Sequence, residues 1–204
     1  MRKYVIMGVQ GSGKGTQSQL LASDLDIVHI SVGDMFREHV ATHTKLGEQV
    51  QRLLAAGELV PDETTQEMIA GRLAEHDWNY GFVIDGFPRN AGQARFFLTN
   101  YDVDAVIHLD LPDSEVWARV EQRRKAAQGD SGGGSESADS SPRDDDTAEA
   151  LAVRIREYHA NAEPVLDEFR RKGEHVITVD ARPEADAVQQ DIRSKLGLPP
   201  YKAA

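Results

Sequence analysis

Two observations predict an α/β fold built on a parallel sheet. Short apolar runs alternate with longer segments of helical period along the chain, and strands joined by helix-length crossovers pair in parallel with helices covering the sheet. The turn after the first apolar run is rich in glycine and leads straight into helix-compatible sequence, the arrangement in which a strand delivers the chain to an open helix N-terminus. Five runs qualify as strands, 4–7, 27–30, 81–85, 105–110 and 175–179, which makes a five-stranded sheet. The helical periods cover 17–25, 33–40, 45–56, 63–75, 91–98, 114–126, 147–171 and 184–195, so helices flank every strand. Pro61, Pro112 and Pro183, each followed by an acidic residue, read as helix starts.

Two segments interrupt the alternation and are the natural inserted lobes. Residues 31–60 are helical in pattern throughout. Residues 124–143 pass through Gly129, Gly132, Gly133 and Gly134 with serines and acids between them, a composition that buries too little apolar area to offset its ordering entropy and predicts mobility. The expected division is therefore one domain over 1–204, with its core in 1–30, 61–123 and 144–204.

The glycine-rich turn carries the first chemical information. It reads Gly8-Val9-Gln10-Gly11-Ser12-Gly13-Lys14-Gly15-Thr16 and fits the spacing of a phosphate-binding loop, in which the backbone curls so that successive N–H groups face one concavity. Lys14 adds the full positive charge that a triphosphate tail requires. A dinucleotide-binding turn is disfavoured, because the third glycine of that motif would fall on Thr16. The usual hydroxyl residue after the lysine is here Gly15, with Thr16 one place later. The ligand expected is a nucleoside triphosphate.

Composition narrows the class. At 204 residues and 40% apolar content the chain has the make-up of a soluble globular protein with one good core. No apolar run approaches the roughly 20 residues of a membrane span, so the expected location is the cytoplasm, with no membrane partner. A net charge of −11 argues against nonspecific nucleic-acid binding, and any anionic ligand has to meet a local cluster of cations. The chain has no cysteine, which excludes disulfides and thiolate zinc sites. His39 and His43 stand four apart without the glutamate of a zinc-helix motif. A monomer is expected.

With the loop ending Gly13-Lys14-Gly15-Thr16, then Ser31-Val32-Gly33-Asp34-Met35-Phe36-Arg37, then Asp85-Gly86-Phe87-Pro88-Arg89, the chain resembles the adenylate kinases over nearly its whole length. The resemblance implies a P-loop kinase fold in which a core binds ATP, a helical lobe at 31–60 binds the monophosphate and a lid at 124–143 closes over both. It implies reversible phosphoryl transfer from Mg-ATP to AMP, giving two ADP. Gly11, Ser12, Gly13, Lys14, Gly15 and Thr16 would hold the ATP phosphates, with Arg119, Arg123 and Pro183 on the same side. Arg37 and Arg89 would hold the acceptor phosphate. Arg143 and Arg154 would reach in from the lid and its hinge to the acceptor site. The acceptor site would further include Val32, Glu58, Leu59, Val60, Gly86, Phe87, Pro88 and Gln93. The residues expected to act in catalysis are Lys14, Asp85, Arg89, Arg123, Arg143 and Arg154.

Residue chemistry fits that assignment. Two nucleotides bring many negative charges together, and phosphoryl transfer needs positioning and charge neutralisation more than covalent help. Guanidinium groups bind phosphate oxygens bidentately and stay charged. Asp85 ends an apolar strand, a position that resembles a Walker B carboxylate ordering magnesium through water, and magnesium needs few protein ligands because it retains several waters. Gln93 favours adenine, since a side-chain amide pairs with its edge in bidentate fashion. Val32 stands where many adenylate kinases have threonine, and the missing hydroxyl contact, about 0.5 to 1.5 kcal/mol, relaxes selectivity by about tenfold without reassigning it. The acidic Gly/Ser lid points to slower or leakier closure. Two alternatives stay open at this point: a nucleoside monophosphate kinase of the UMP/CMP type or of broad acceptor range, and a non-catalytic adenine-nucleotide sensor.

Overall fold

The computed structural model describes residues 2–75, 77, 80–129 and 147–201. Five strands, β1 (Lys3–Gly8), β2 (Val28–Ser31), β3 (Phe82–Asp85), β4 (Ala105–Asp110) and β5 (Val176–Asp180), form one sheet in the order β2-β3-β1-β4-β5. Every pairing is parallel. The helices are α1 (Lys14–Leu25), α2 (Val32–Ala41), α3 (Lys45–Ala56), α4 (Asp62–Ala74), α5 (Ala91–Asn100), α6 (Asp113–Gly129), α7 (Ala148–Lys172) and α8 (Ala185–Lys195). All five strands and all eight helical periods expected from the sequence are present, with ends that move by at most three residues.

The central strands β3, β1 and β4 are buried on both faces because each alternates two apolar sets. Tyr4, Ile6, Val83, Ile107 and Leu109 face a layer built from Leu21 and Leu25 of α1, Val116 and Val120 of α6, and Val188 and Ile192 of α8. Val5, Met7, Phe82, Ile84 and Val106 face Ile69 and Leu73 of α4, Ala94 and Phe97 of α5, and Val165, Leu166 and Phe169 of α7. Burying one such side chain is worth about 1.5 to 3 kcal/mol, so a period-2 alternation on several strands fixes both layers and the register together. Phe97 meets Phe82 and Phe87 edge to face at 6.3 and 5.8 Å, which ties the chain after β3 to the core.

Local chemistry sets the helix ends. Ser31 Oγ accepts from Asp34 N at the start of α2, Thr44 Oγ1 from Gly47 N at α3, Asn90 Oδ1 from Gln93 N at α5 and Thr147 Oγ1 from Ala150 N at α7, each satisfying an orphan donor of the first turn. α6 continues past Arg123 to Gly129. Residues 130–146, which hold most of the segment expected to be mobile together with Arg143, lie outside the described residues.

Candidate active site

β1 lies at the centre of the sheet between β3 and β4, where the strand order reverses, and the crevice at the carboxyl ends of the strands at such a point is where open α/β sheets bind ligands. The loop between β1 and α1 occupies that crevice. Gly13 caps α1 in the left-handed region at φ 90°, a conformation that costs other residues about 1 to 2 kcal/mol, and so turns the first amides of α1 toward the loop interior. Lys14 Nζ donates to Gly8 O at 2.8 Å and Val9 O at 2.9 Å, which fixes its charge over the loop. Ser12 Oγ is buried and has no hydrogen-bond partner among the described residues. A buried hydroxyl without a partner costs free energy, and a phosphate oxygen is the group that would satisfy it here.

Two clefts open beside this loop. The first is lined by Gln10, Lys14, Leu59, Gly86, Phe87, Pro88, Arg89 and Arg154, with Glu157, Tyr158 and Val165 of α7 behind them. The second is lined by Val32, Arg37, Glu58, Leu59, Val60, Gly86 and Gln93, again with Arg89 and Arg154. Arg89 and Arg154 therefore stand on the boundary of both. Each is fixed by a carbonyl: Arg89 Nε donates to Gly86 O at 2.8 Å, and Arg154 Nη2 reaches from α7 to Leu54 O at 3.2 Å, at the end of α3. Arg37 is held by the carboxylate of Asp34, one helical turn earlier.

Other expected site residues lie beside these clefts. Arg119 on α6 donates from Nη2 to Arg182 O at 2.8 Å, which brings it to the residue before Pro183. Arg182 in turn makes a bidentate pair with Asp180, and that pair, through the guanidinium hydrogen bonds and a backbone N–H of Arg182, pulls the Asp180 carboxyl down to about 2. Arg123, one turn beyond Arg119 on α6, lines neither cleft. Gly11, Ser12, Gly13, Gly15 and Thr16 form the loop and helix start itself. Arg143 lies outside the described residues.

Asp85 closes β3 at the same carboxyl edge, opposite Ile6 of β1. His29 Nε2–H donates to its Oδ2 at 2.6 Å and Ser31 Oγ to its Oδ1 at 3.5 Å. Among the described residues no group of three or more potential ligands gathers to cage a metal. A single hard carboxylate with a phosphate loop nearby fits magnesium that arrives with phosphate and keeps its waters; it does not fit a resident structural ion. Among the described residues no helix is long and apolar enough to cross a membrane.

A sequence profile described as adenylate kinase matches residues 6–174 of this chain. The chain belongs to the adenylate kinase family. Relatives named adenylate kinase include one from Streptomyces griseus, 39% identical over 88% of this chain and 90% of its own length. Another, from Clavibacter michiganensis, is 37% identical over 96% and 93%, and one from Parvibaculum lavamentivorans is 35% identical over 99% and 95%. The adenylate kinase match spans the loop, both clefts and the whole of α7.

Several cleft residues of this adenylate kinase were not singled out from sequence. Gln10, Phe36, Leu54 and Thr65 line the second cleft, and Glu157 and Tyr158 the first. Glu157 and Tyr158 follow Arg154 at three and four residues on α7, so helical spacing alone places them on its face. His29, the partner of Asp85, carries no comparable signal.

Proposed function

We propose that this adenylate kinase transfers the terminal phosphoryl group of Mg-ATP to AMP and runs the reaction in both directions, with ATP at the β1 loop and the first cleft and AMP in the second. The observation that carries this reading is the shared boundary of the clefts: Lys14, Arg89 and Arg154 line the first, and Arg37, Arg89, Arg154 and Gln93 the second. A group passing between two anions crosses that boundary, and preorganised cations there stabilise charge as it moves.

The donor tail is bound by the amides of Gly11 to Thr16, by the Ser12 hydroxyl and by Lys14. Arg119 and Pro183 flank the donor base, Arg123 adds charge along its phosphates, and the lid arginine Arg143 joins Arg154 on the acceptor side. Asp85 would hold magnesium through water, and the ion, when bound, would neutralise phosphate charge. The acceptor phosphate is held by Arg37 and Arg89, its base by Val32, Glu58, Leu59, Val60 and Gln93, with Gly86, Phe87 and Pro88 shaping the floor. An oxygen of the AMP phosphate attacks the terminal phosphorus of ATP, the bond from that phosphorus to the bridging oxygen breaks, and ADP leaves with the electron pair. No side chain has to remove a proton, because the attacking oxygen is already anionic. Residues 31–60 serve as the acceptor lobe and 124–143 as the lid, on a monomer in the cytoplasm.

The test is ADP formation from Mg-ATP with AMP, CMP, UMP, GMP and dTMP in parallel, with Lys14→Ala as control. Activity strongest with AMP and lost in the variant supports the reading. A preference for a pyrimidine monophosphate overturns the acceptor assignment.

A further inference from the structure

We propose that Asp62 sets the acceptor-base preference of this enzyme by fixing which way the side-chain amide of Gln93 faces. The inference rests on the reading of the second cleft as the acceptor-base site. Gln93 is 1% exposed and lines that cleft beside Val32, Val60 and Thr65. Its Nε2 donates to Asp62 Oδ1 at 2.9 Å, and its Oε1 accepts from Arg89 N at 2.8 Å. Asp62 opens α4 and Gln93 sits in the first turn of α5, so the two helix starts are joined through this amide.

Asp62 is held in turn. The same Oδ1 accepts from Asn90 Nδ2 at 2.8 Å. Asn90 cannot turn over, because its Oδ1 accepts from Gln93 N at 2.9 Å and caps α5. A carboxylate only accepts and a backbone N–H only donates. Rotating the Gln93 amide by half a turn would set oxygen against oxygen at Asp62 and N–H against N–H at Arg89. Both contacts change from hydrogen bonds to repulsions, so the amide has one orientation.

An amide group has two donor hydrogens and two acceptor lone pairs, and these contacts use one of each. One N–H and one lone pair remain, in a fixed order. Adenine presents an acceptor at N1 beside a donor amino group at C6, so the Gln93 N–H meets N1 and Oε1 meets the amino group. A 6-oxopurine presents the reverse, a donor at N1 and an acceptor at O6, and needs the amide turned over. Asp62 touches neither base; it is a positioning residue whose effect is to make the turned amide costly. Thr65 acts in the same sense, because its hydroxyl hydrogen is spent on Pro61 O at 3.2 Å and the side chain offers the cleft an acceptor, which suits an amino group and opposes O6.

The experiment compares kcat/KM for AMP and for IMP, a 6-oxopurine without a 2-amino group, in the wild type, Asp62→Ala, Asp62→Asn and Gln93→Ala, with the melting temperature of each. In Asp62→Ala the AMP to IMP ratio is expected to fall by at least about tenfold, the effect of releasing one hydrogen bond to a charged group, with the IMP value rising as the AMP value falls. Asp62→Asn, whose carbonyl faces the same two N–H donors, is expected to keep most of the ratio. Should Asp62→Ala fail to fold, Asp62→Ser, which suits a helix start and is too short to reach Gln93, carries the same comparison. A purely structural role would lower melting temperature and both acceptors in parallel, and an unchanged ratio overturns the proposal. Gln93→Ala separates the two layers. If it lowers the ratio while Asp62→Ala does not, the cleft reading stands and the role of Asp62 is wrong; if it leaves the ratio unchanged, the cleft reading fails and the proposal falls with it.

Discussion

His29 Nε2 lies 2.6 Å from Asp85 Oδ2, although the strand register sets His29 opposite Val83 and Ser31 opposite Asp85. The imidazole leans along β2 to reach a carboxylate that is only 7% exposed, and with Ser31 it fixes both oxygens. Replacing His29 by leucine takes a donor from a nearly buried acceptor, a loss of about 1 to 3 kcal/mol in stability. It also lets Asp85 swing, so the magnesium concentration for half-maximal activity is expected to rise. Urea unfolding and a magnesium titration of the reaction check both, and no change in either would make the pair incidental.

Lys14 tests the loop. Its ammonium is bonded to two carbonyls of its own turn and sits in the first cleft, so its removal changes the charge at the reacting phosphates far more than it changes packing. Lys14→Met is expected to lower kcat by about 100-fold to 1000-fold, the usual effect of losing one preorganised group at a developing charge. Stability should fall by no more than about 1 to 3 kcal/mol, since the deleted contacts are two part-buried hydrogen bonds from a charged group. Initial rates and a melting curve on the same preparation provide the comparison.

What the sequence made legible is what depends on neighbours along the chain. The loop, the strand alternation and the helix starts after Pro61, Pro112 and Pro183 are all set within a few residues, so period and residue type suffice. The roles of the single arginines came from resemblance, because an arginine on a helix looks the same whether it faces solvent or a cleft. The contacts that hold the site fell outside both routes. His29 meets Asp85 across 56 positions, Asp62 meets Gln93 across 31 and Arg154 meets Leu54 across 100; each depends on how helices and strands dock. The end of α6 was misplaced for a different reason. Arg124, Lys125, Ala126, Ala127 and Gln128 are all good helix formers, and they carry the helix on beyond Arg123.

His108 and Tyr158 give the enzyme a pH signature. Their side chains are hydrogen-bonded at 2.7 Å between β4 and α7. Burial lowers the His108 pKa from its usual 6.5, and burial, with Asp110, Asp113 and Glu163 nearby, pushes Tyr158 up to about 12. For His108 the unfolded chain binds the extra proton first. Its contribution is therefore whole above about 6.5 and is lost as pH falls through the depressed folded value. For Tyr158 the contribution is whole below about 10 and is lost as pH rises toward about 12. Each limb has a slope of at most about 1.4 kcal/mol per pH unit, the value for one proton. Stability against urea as a function of pH should flatten on the acid side in His108→Gln and on the alkaline side in Tyr158→Phe; limbs that persist in these variants would assign them to other groups.

Gly57 controls how the end of α3 docks on α7. It caps α3 at φ 76°, and a Cβ there would lie 2.4 Å from Ala150 O, in the first turn of α7. A backbone carbonyl inside a helix cannot step aside as a side-chain tip does, so Gly57→Ala combines left-handed strain with overpacking, each costing at least about 1 kcal/mol. The displaced end of α3 carries Leu54 O, which accepts from both Gly57 N and Arg154 Nη2. The expected outcome is a lower melting temperature together with a raised KM for AMP, because Arg154 loses its anchor at the cleft boundary. Gly173→Ala is the control: Gly173 caps α7 at φ 89°, and an added Cβ meets nothing within 4 Å. That variant is expected to show the strain alone, with a smaller drop in melting temperature and an unchanged KM. Equal behaviour of the two variants would mean that the contact with Ala150 does not position Arg154.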